Sequence, residues 1–237
     1  MRPSIRRHSH LAADLARAAV RPAALPFKLT LCLTWRCHHR CAACQIWTRP
    51  AGDEMSAAQL DRLFASMGSI SWLDLTGGEV VARRDLAEIT ASVHRHLGRL
   101  AMLHFPTAGM RPEQVVAAAR GFVRRGGPRV VISVSVDGPP ELHDRLRGVD
   151  GAWERAVDTL VALAQVDGVR AFAGMTLQPG NTDAVDATVH ALASRLPGFR
   201  HADLHVNYLH RSAHYFGNES LAPPDGRLMT AALADLV

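Results

Sequence analysis

Apolar and polar positions follow two rhythms along this chain, and the rhythms take turns. Short runs rich in apolar and β-branched residues at 27–33, 72–76, 101–106, 129–136, 170–177 and 203–209 read as strands. Between them apolar residues recur at helical spacing. The first such stretch is capped by Ser56 and carries Leu60, Leu63, Phe64 and Met67; others cover 86–97, 112–125, 152–165 and 183–196. A last helix is expected from about Asp225. A short amphipathic helix is expected at 10–20, with Leu11, Leu15 and Ala18 or Ala19 on its apolar face. The stretch 143–148 reads as a charged turn.

Six strand-then-helix units in a row predict an α/β fold, a parallel sheet with helices outside it. Right-handed crossovers leave two ways to wind it: an open doubly wound sheet or most of a barrel. In a barrel, the loops that follow the strands share one rim. Here those loops hold three cysteines, Gly77-Gly78-Glu79, Thr107-Ala108, Asp137-Gly138 and Asn181. Chemistry-bearing residues scattered at random would not sort this way, so the site is expected on that rim.

Residues 34–47, TWRCHHRCAACQIW, carry the sharpest signal. Cys37, Cys41 and Cys44 stand in the spacing C-x3-C-x2-C directly after the first strand. Thiolates this close hold a metal or an iron–sulfur cluster. Both a cluster and a closed zinc site ordinarily take a fourth protein ligand. Three ligands without an obvious fourth leave one metal open for another ligand, a catalytic arrangement. The alternatives are a zinc site completed by His38 or His39 in an α/β domain, and a cluster used only for electron transfer or sensing. The remaining cysteine, Cys32, lies inside the strand and reads as a small buried hydrophobe.

Composition narrows the class. With 48% hydrophobic and 21% charged residues, the 237-residue chain has the balance of one globular domain with a sizeable core. No apolar run approaches the ~20 residues of a membrane helix. The net charge of +5 sits in the first 28 residues, where Arg2, Arg6, Arg7, Arg17, Arg21 and Lys28 face Asp14 alone. The rest of the chain is balanced and shows no basic stripe interleaved with aromatics, so nucleic acid is not expected as a partner. Residues 1–26 are read as a basic helical leader lying against the domain, without the apolar core of a secretory signal. Residues 27–237 are read as the core domain. Three cysteines within eight residues are no disulfide framework and suit a reducing cytoplasm.

The motifs taken together resemble the radical S-adenosylmethionine (radical SAM) superfamily. The resemblance rests on Cys37-x3-Cys41-x2-Cys44 after the first strand, Thr76-Gly77-Gly78-Glu79 after the second and Ser135-Val136-Asp137-Gly138 after the fourth. It extends to residues 142–148 (LHDRLRG) and to Gly151-Ala152-Trp153, which are similar to the peptide-maturing and molybdenum-cofactor branches. It implies a partial (β/α)6 barrel over roughly 27–209. It further implies a [4Fe–4S] cluster on Cys37, Cys41 and Cys44, with S-adenosylmethionine chelating the fourth iron. An external electron donor of flavodoxin or ferredoxin type would reduce the cluster. The ligand would then be cleaved to a 5′-deoxyadenosyl radical that takes hydrogen from a peptide or small-molecule substrate; the cofactors carry this chemistry and the protein orients them.

The same resemblance gives roles to individual residues. Gly77 and Gly78 would let bare backbone approach the methionine end of the ligand, with Glu79 fixing the turn or accepting from the ammonium group. Ser135 would bond the ribose or carboxylate, or be a plain strand residue. Arg147 would pair with the methionine carboxylate through its planar fork, or be a solvated charge. Asp137 belongs to the same set, or builds the turn with Gly138 and Pro139. Two positions depart from the family pattern. Ala43 replaces an aromatic residue, which moves adenine packing to another residue such as Trp47, and Ala108 replaces an asparagine. Tyr208, His210, His214, Tyr215 and Asn218 fall where substrate should lie. His210 and His214 have a metal-ligand spacing if helical and otherwise belong to a polar loop. No cysteines remain for an auxiliary cluster, and a substrate-recognition extension is expected beyond Val237 or from a partner.

Overall fold

The computed structural model describes residues 5–21, 25–52, 54–223, 226–227 and 230. Its strands are β1 (Lys28–Thr34), β2 (Trp72–Gly77), β3 (Met102–Thr107), β4 (Arg129–Ser135), β5 (Val169–Leu177) and β6 (Leu204–Tyr208). All pair in parallel with their sequence neighbours, in the order β1-β2-β3-β4-β5-β6. A doubly wound sheet would reverse its strand order part-way. The strictly sequential order rules that out and leaves a partial (β/α)6 barrel with β1 and β6 at its edges.

The helices are α1 (Ile5–Val20), α2 (Ala57–Ser66), α3 (Leu86–His96), α4 (Pro112–Phe122), α5 (Pro140–Arg147), α6 (Ala152–Ala164) and α7 (Val185–Arg195). Ser56 caps α2 as expected, in a reciprocal capping box with Gln59. The helix expected from about Asp225 begins outside the described residues.

Side chains alternate across each strand. Leu73 and Leu75, Leu103 and Phe105, Val130, Ile132 and Val134, and Ala173, Met175 and Leu177 face the helices and are buried in one apolar core. The alternate positions line the inner face, which is polar. Asp74 accepts from Trp72 Nε1 at 2.7 Å and pairs with Lys28 at 3.0 Å and His104 at 3.3 Å. Nε2 of His104 in turn meets Ser133 Oγ at 3.0 Å.

Two expectations are corrected. The stretch 143–148 is not a turn: it belongs to α5, which starts with Pro140 in its first turn and stops at Gly148 in the left-handed conformation (φ +64°). Helix α1 forms but does not dock by an apolar stripe, for Leu15 is 46% exposed. Its buried contact is Asp14, which accepts from Ser71 Oγ at 2.7 Å and pairs with Arg99, while Arg7 donates to the Leu100 carbonyl. The loops before β2 and β3 offer a hydroxyl, a cation and a carbonyl there, so a polar face fits them better than a leucine stripe.

Candidate functional site

The loop that follows β1 is held in place from three sides. First, the Gly78 N–H donates to the Thr34 carbonyl and the Glu79 N–H to the Arg36 carbonyl, both at 2.7 Å. A Cβ on Gly77 would stand 2.3 Å from Thr34 O, and one on Gly78 2.2 Å from Arg36 O. The close approach of Thr34 and Arg36 therefore demands glycine at both positions independently of any ligand, and both glycines also line the pocket described below. Second, the Arg40 and Ala42 N–H groups donate to the carbonyls of Arg147 and Leu146 at the end of α5. Gly148 is needed there too, because its Cβ would meet Arg40 O at 2.7 Å. Third, the segment after β6 covers the loop. Asn218, almost fully buried, donates to the Ala43 carbonyl at 2.8 Å, the Gln45 N–H donates to the Phe216 carbonyl, and Arg49 donates to that of Ala213.

Held this way, Cys37, Cys41 and Cys44 line a pocket of about 410 Å³ on the barrel rim. Its walls come from every strand end: Thr76, Gly77 and Gly78 after β2, Pro106 to Ala108 after β3, Ser135 and Asp137 after β4, Thr176 and Gln178 after β5, and Asn207 to His210 after β6. The rim site expected from the sequence is thus assembled. All four cysteines are free thiols. Burial pushes the Cys37 thiol up to about 11 and the Cys44 thiol upward as well. Among the described residues no three His, Cys, Asp or Glu side chains converge on a point that suits one metal ion.

The remaining expected residues divide into those that face the pocket and those that build it. Ser135 lines the pocket at the end of β4 with its hydroxyl free of partners in the protein among the described residues. Trp47 lines it too, its Nε1 directed at the Cys41 carbonyl at 3.4 Å. Glu79 is buried away from the pocket. Its carboxylate accepts from Thr107 Oγ1 and from the Ala108 N–H at 2.8 Å, so it ties β2 to β3 and fixes the turn. The backbone N–H of Ala108 does this work, which needs no side chain at that position. Burial raises the Glu79 pKa above its ordinary value.

Asp137 is 3% exposed, and its oxygens are occupied: Oδ1 accepts from the Thr176 N–H at 2.9 Å and Oδ2 pairs with Arg147 Nε at 2.8 Å. Arg147 is not a solvated charge. Its side chain is 14% exposed, and Nη1 lies 3.9 Å from Cys41 Sγ. Burial opposes its charge, but Asp137 and the thiols outweigh burial and hold its pKa up. Asn181 sits beneath, donating to the carbonyls of Asp137 and Thr176 and accepting from the Gln178 N–H. Cys32 packs under the Gly77 turn and does not reach the pocket.

Beyond β6, residues 209–220 are not helical, so His210 and His214 do not form a pair: His210 lines the pocket and rests edge-on against Phe216, while His214 is exposed. Asn218 is structural, as above. Tyr215 lines the pocket and its hydroxyl bonds Thr76 Oγ1 at 3.0 Å; burial pushes it up to about 12. Sequence reasoning missed the structural roles of α5 and of the 210–218 segment, although Pro140 and Gly148 signal a helix start and stop. His39, which the zinc alternative offered as a fourth ligand beside His38, lines the pocket. That side chain is 1% exposed, and neither ring nitrogen has a partner among the described residues.

Comparison with known proteins decides the family. Residues 31–192, more than half of the chain, match the Radical SAM superfamily. This chain belongs to the radical SAM superfamily. Among curated proteins it is 24% identical over 176 residues to the sporulation killing factor maturation protein SkfB of Bacillus subtilis, covering 72% of this chain and 40% of that protein. It is 32% identical over 127 residues to a probable GTP 3′,8-cyclase of Thermococcus kodakarensis, covering 52% and 39%. Among solved structures, Streptococcus suis SuiB bound to precursor peptide SuiA matches with a TM-score of 0.67 at 14% identity, over 96% of this chain and 49% of that one. Native anSMEcpe with bound AdoMet and Kp18Cys peptide matches with a TM-score of 0.60 at 14% identity, over 77% and 52%. The chain spans about two fifths of the length of these curated relatives and about half of the solved chains.

The cofactors of radical SAM chemistry are a [4Fe–4S] cluster and S-adenosylmethionine, and the residues present fit them. Three thiols face one pocket. A buried imidazole beside them has two nitrogens without partners among the described residues, an arrangement that costs about 1–3 kcal/mol per group unless a further partner is bound. Arg147 brings positive charge to within reach of Cys41, as negative thiolates require.

Proposed function

We propose that this chain is the catalytic core of a radical SAM enzyme in which Cys37, Cys41 and Cys44 hold the [4Fe–4S] cluster. The observation that carries the reading is the meeting of these three thiols with the ends of all six strands around one pocket. When bound, the reduced cluster and S-adenosylmethionine supply the radical that takes a hydrogen atom from substrate.

The protein's own part is to place and shield. Gly77 and Gly78 present bare backbone to the ligand, Ser135 offers it a hydroxyl, and Trp47 offers an aromatic face for the adenine. His39, whose ring nitrogens have no partner among the described residues, would offer an N–H to the bound cluster. Arg147, aligned by Asp137, balances the charge of Cys41 and keeps its remaining N–H groups for the ligand carboxylate. Glu79 and Asn181 hold the turns. The substrate is a peptide or small molecule that sits against Tyr208 and His210 on the pocket wall. The electron donor is an external one, and three cysteines in this spacing suit a reducing cytoplasm.

The test is anaerobic. Protein reconstituted with iron and sulfide, then given S-adenosylmethionine and dithionite, should yield 5′-deoxyadenosine by chromatography. Cys41→Ala should lose both the absorbance near 400 nm and the product. A cluster that forms in wild type without any product would favour an electron carrier or sensor, and zinc in place of iron would overturn the reading.

A further inference from the structure

A second cleft, of about 510 Å³, lies on the rim outside the barrel. Three separate loops build it: Arg36 and His38 come from the loop after β1, Arg84 from that after β2, and Arg111 from that after β3. Among the described residues no carboxylate lines it. The fourth arginine there, Arg83, is spent inside the protein: it pairs with Asp85 at 2.6 Å and Glu54 at 3.6 Å and donates to the Leu33 and Met55 carbonyls. Arg36, Arg84 and Arg111 are exposed, and among the described residues none has a carboxylate within ion-pair distance.

This clustering is out of character for the domain. Basic and acidic residues balance over 29–237, yet three cations gather here, and the nearest described carboxylates, Glu54 and Asp85 in the adjoining cleft, are engaged by Arg83. The cleft also shares one residue with the cofactor pocket, and that residue is Cys37. Cys37 is therefore the wall between them.

We propose that this cleft is the docking surface for an acidic one-electron donor protein, which passes its electron to the cluster across Cys37. The inference rests on the cluster reading above. The step is balanced in itself: the donor loses one electron, the cluster gains it, and no proton or bond changes place. A carboxylate-rich face fits unpaired arginines, and such matching steers encounter while dry, shape-matched contact is not required. A small anion seated here would lie across the cysteine loop from the reaction pocket, which is why a donor suits the position better than a substrate.

The experiment uses the reconstituted holoprotein. Bleaching of the cluster near 400 nm is followed by stopped flow with two reductants: a flavodoxin hydroquinone as the acidic donor, and reduced methyl viologen as a small cation that needs no docking. The variant is Arg84→Glu with Arg111→Glu, which leaves the cysteine loop untouched. Wild type should be reduced by flavodoxin with a rate that falls roughly ten-fold between about 50 and about 300 mM salt. The variant should lose on the order of ten-fold at low salt and show little salt dependence, while its rate with viologen stays the same. An unchanged flavodoxin rate overturns the proposal. So does an equal loss with both reductants, which would mean a damaged cluster, or a loss of pyrophosphate binding with no change in flavodoxin rate, which would mark a small-anion site. If wild type takes up no cluster, the function proposed above fails first, and that outcome is read from the iron content alone.

Discussion

The two halves of the rim are built by opposite means. On the β1–β2 side the joints are backbone to backbone: the Gly78 and Glu79 N–H groups reach the Thr34 and Arg36 carbonyls across glycines that leave no room for a Cβ. On the β4–β5 side the joints are side chains: Asp137 binds Arg147 and the Thr176 N–H, and Asn181 closes the loop beneath. The first half positions the thiols and the second positions charge beside them. A backbone joint fails when an atom is added, and a side-chain joint fails when one is removed.

Asp137→Ala should break the second half most severely. It strands a buried guanidinium, which typically costs about 3–5 kcal/mol, read as a lower urea midpoint. The double variant Asp137→Ala with Arg147→Met should recover part of that loss. If it recovers none, the ion pair is not what joins β4, β5 and α5. Gly78→Ala should break the first half by addition, at a cost of about 1–3 kcal/mol or more, with less iron bound per chain. The same change at the open position Gly98, where a Cβ meets nothing within 4 Å, should leave iron loading intact. Equal loading in the two variants would dissolve the contrast.

A pH titration sharpens the side-chain half. His143 accepts the Asp137 N–H through Nδ1, and burial, then Arg147, lower its pKa to about 3. The unfolded chain binds a proton at about pH 6.5, so folded and unfolded states differ in between. This contribution is complete above about pH 6.5 and is lost progressively as pH falls toward 3. Urea midpoints of His143→Gln should therefore depend less on pH over that window than those of wild type; parallel curves would contradict the assignment. The smallest effect belongs to Ser135→Ala. Stability should change by no more than about 0.5 kcal/mol, while S-adenosylmethionine binds roughly five-fold more weakly for one lost hydrogen bond of about 1 kcal/mol. Calorimetry on the reconstituted protein measures it, and unchanged affinity would return Ser135 to a plain strand role.

Much of this site was legible because it is local. The cysteine spacing, the glycine pair and the alternation of strand and helix are statements about neighbours in sequence, and local order with right-handed crossovers puts every strand-end loop on one rim. What the residues do once there was less legible. Glu79 and Asp137 each read two ways, as a ligand contact or as a builder of its turn, and sequence could not choose; in the structure their carboxylates accept from the Ala108 and Thr176 N–H groups. His210 and His214 have a helical spacing on a segment that is not helical.

The sequence alone determined the six-unit α/β architecture, the rim and the three thiols, since periodicity and spacing act over a few residues. Only the tertiary structure decided which way the sheet winds, that α5 and residues 210–218 clamp the cysteine loop, that the glycines answer to Thr34 and Arg36, and that three arginines from three loops meet outside Cys37. Those are contacts between residues far apart in the chain. Their partners are fixed by packing and by the need of buried polar groups for a hydrogen bond, and neither is written in any one stretch of sequence.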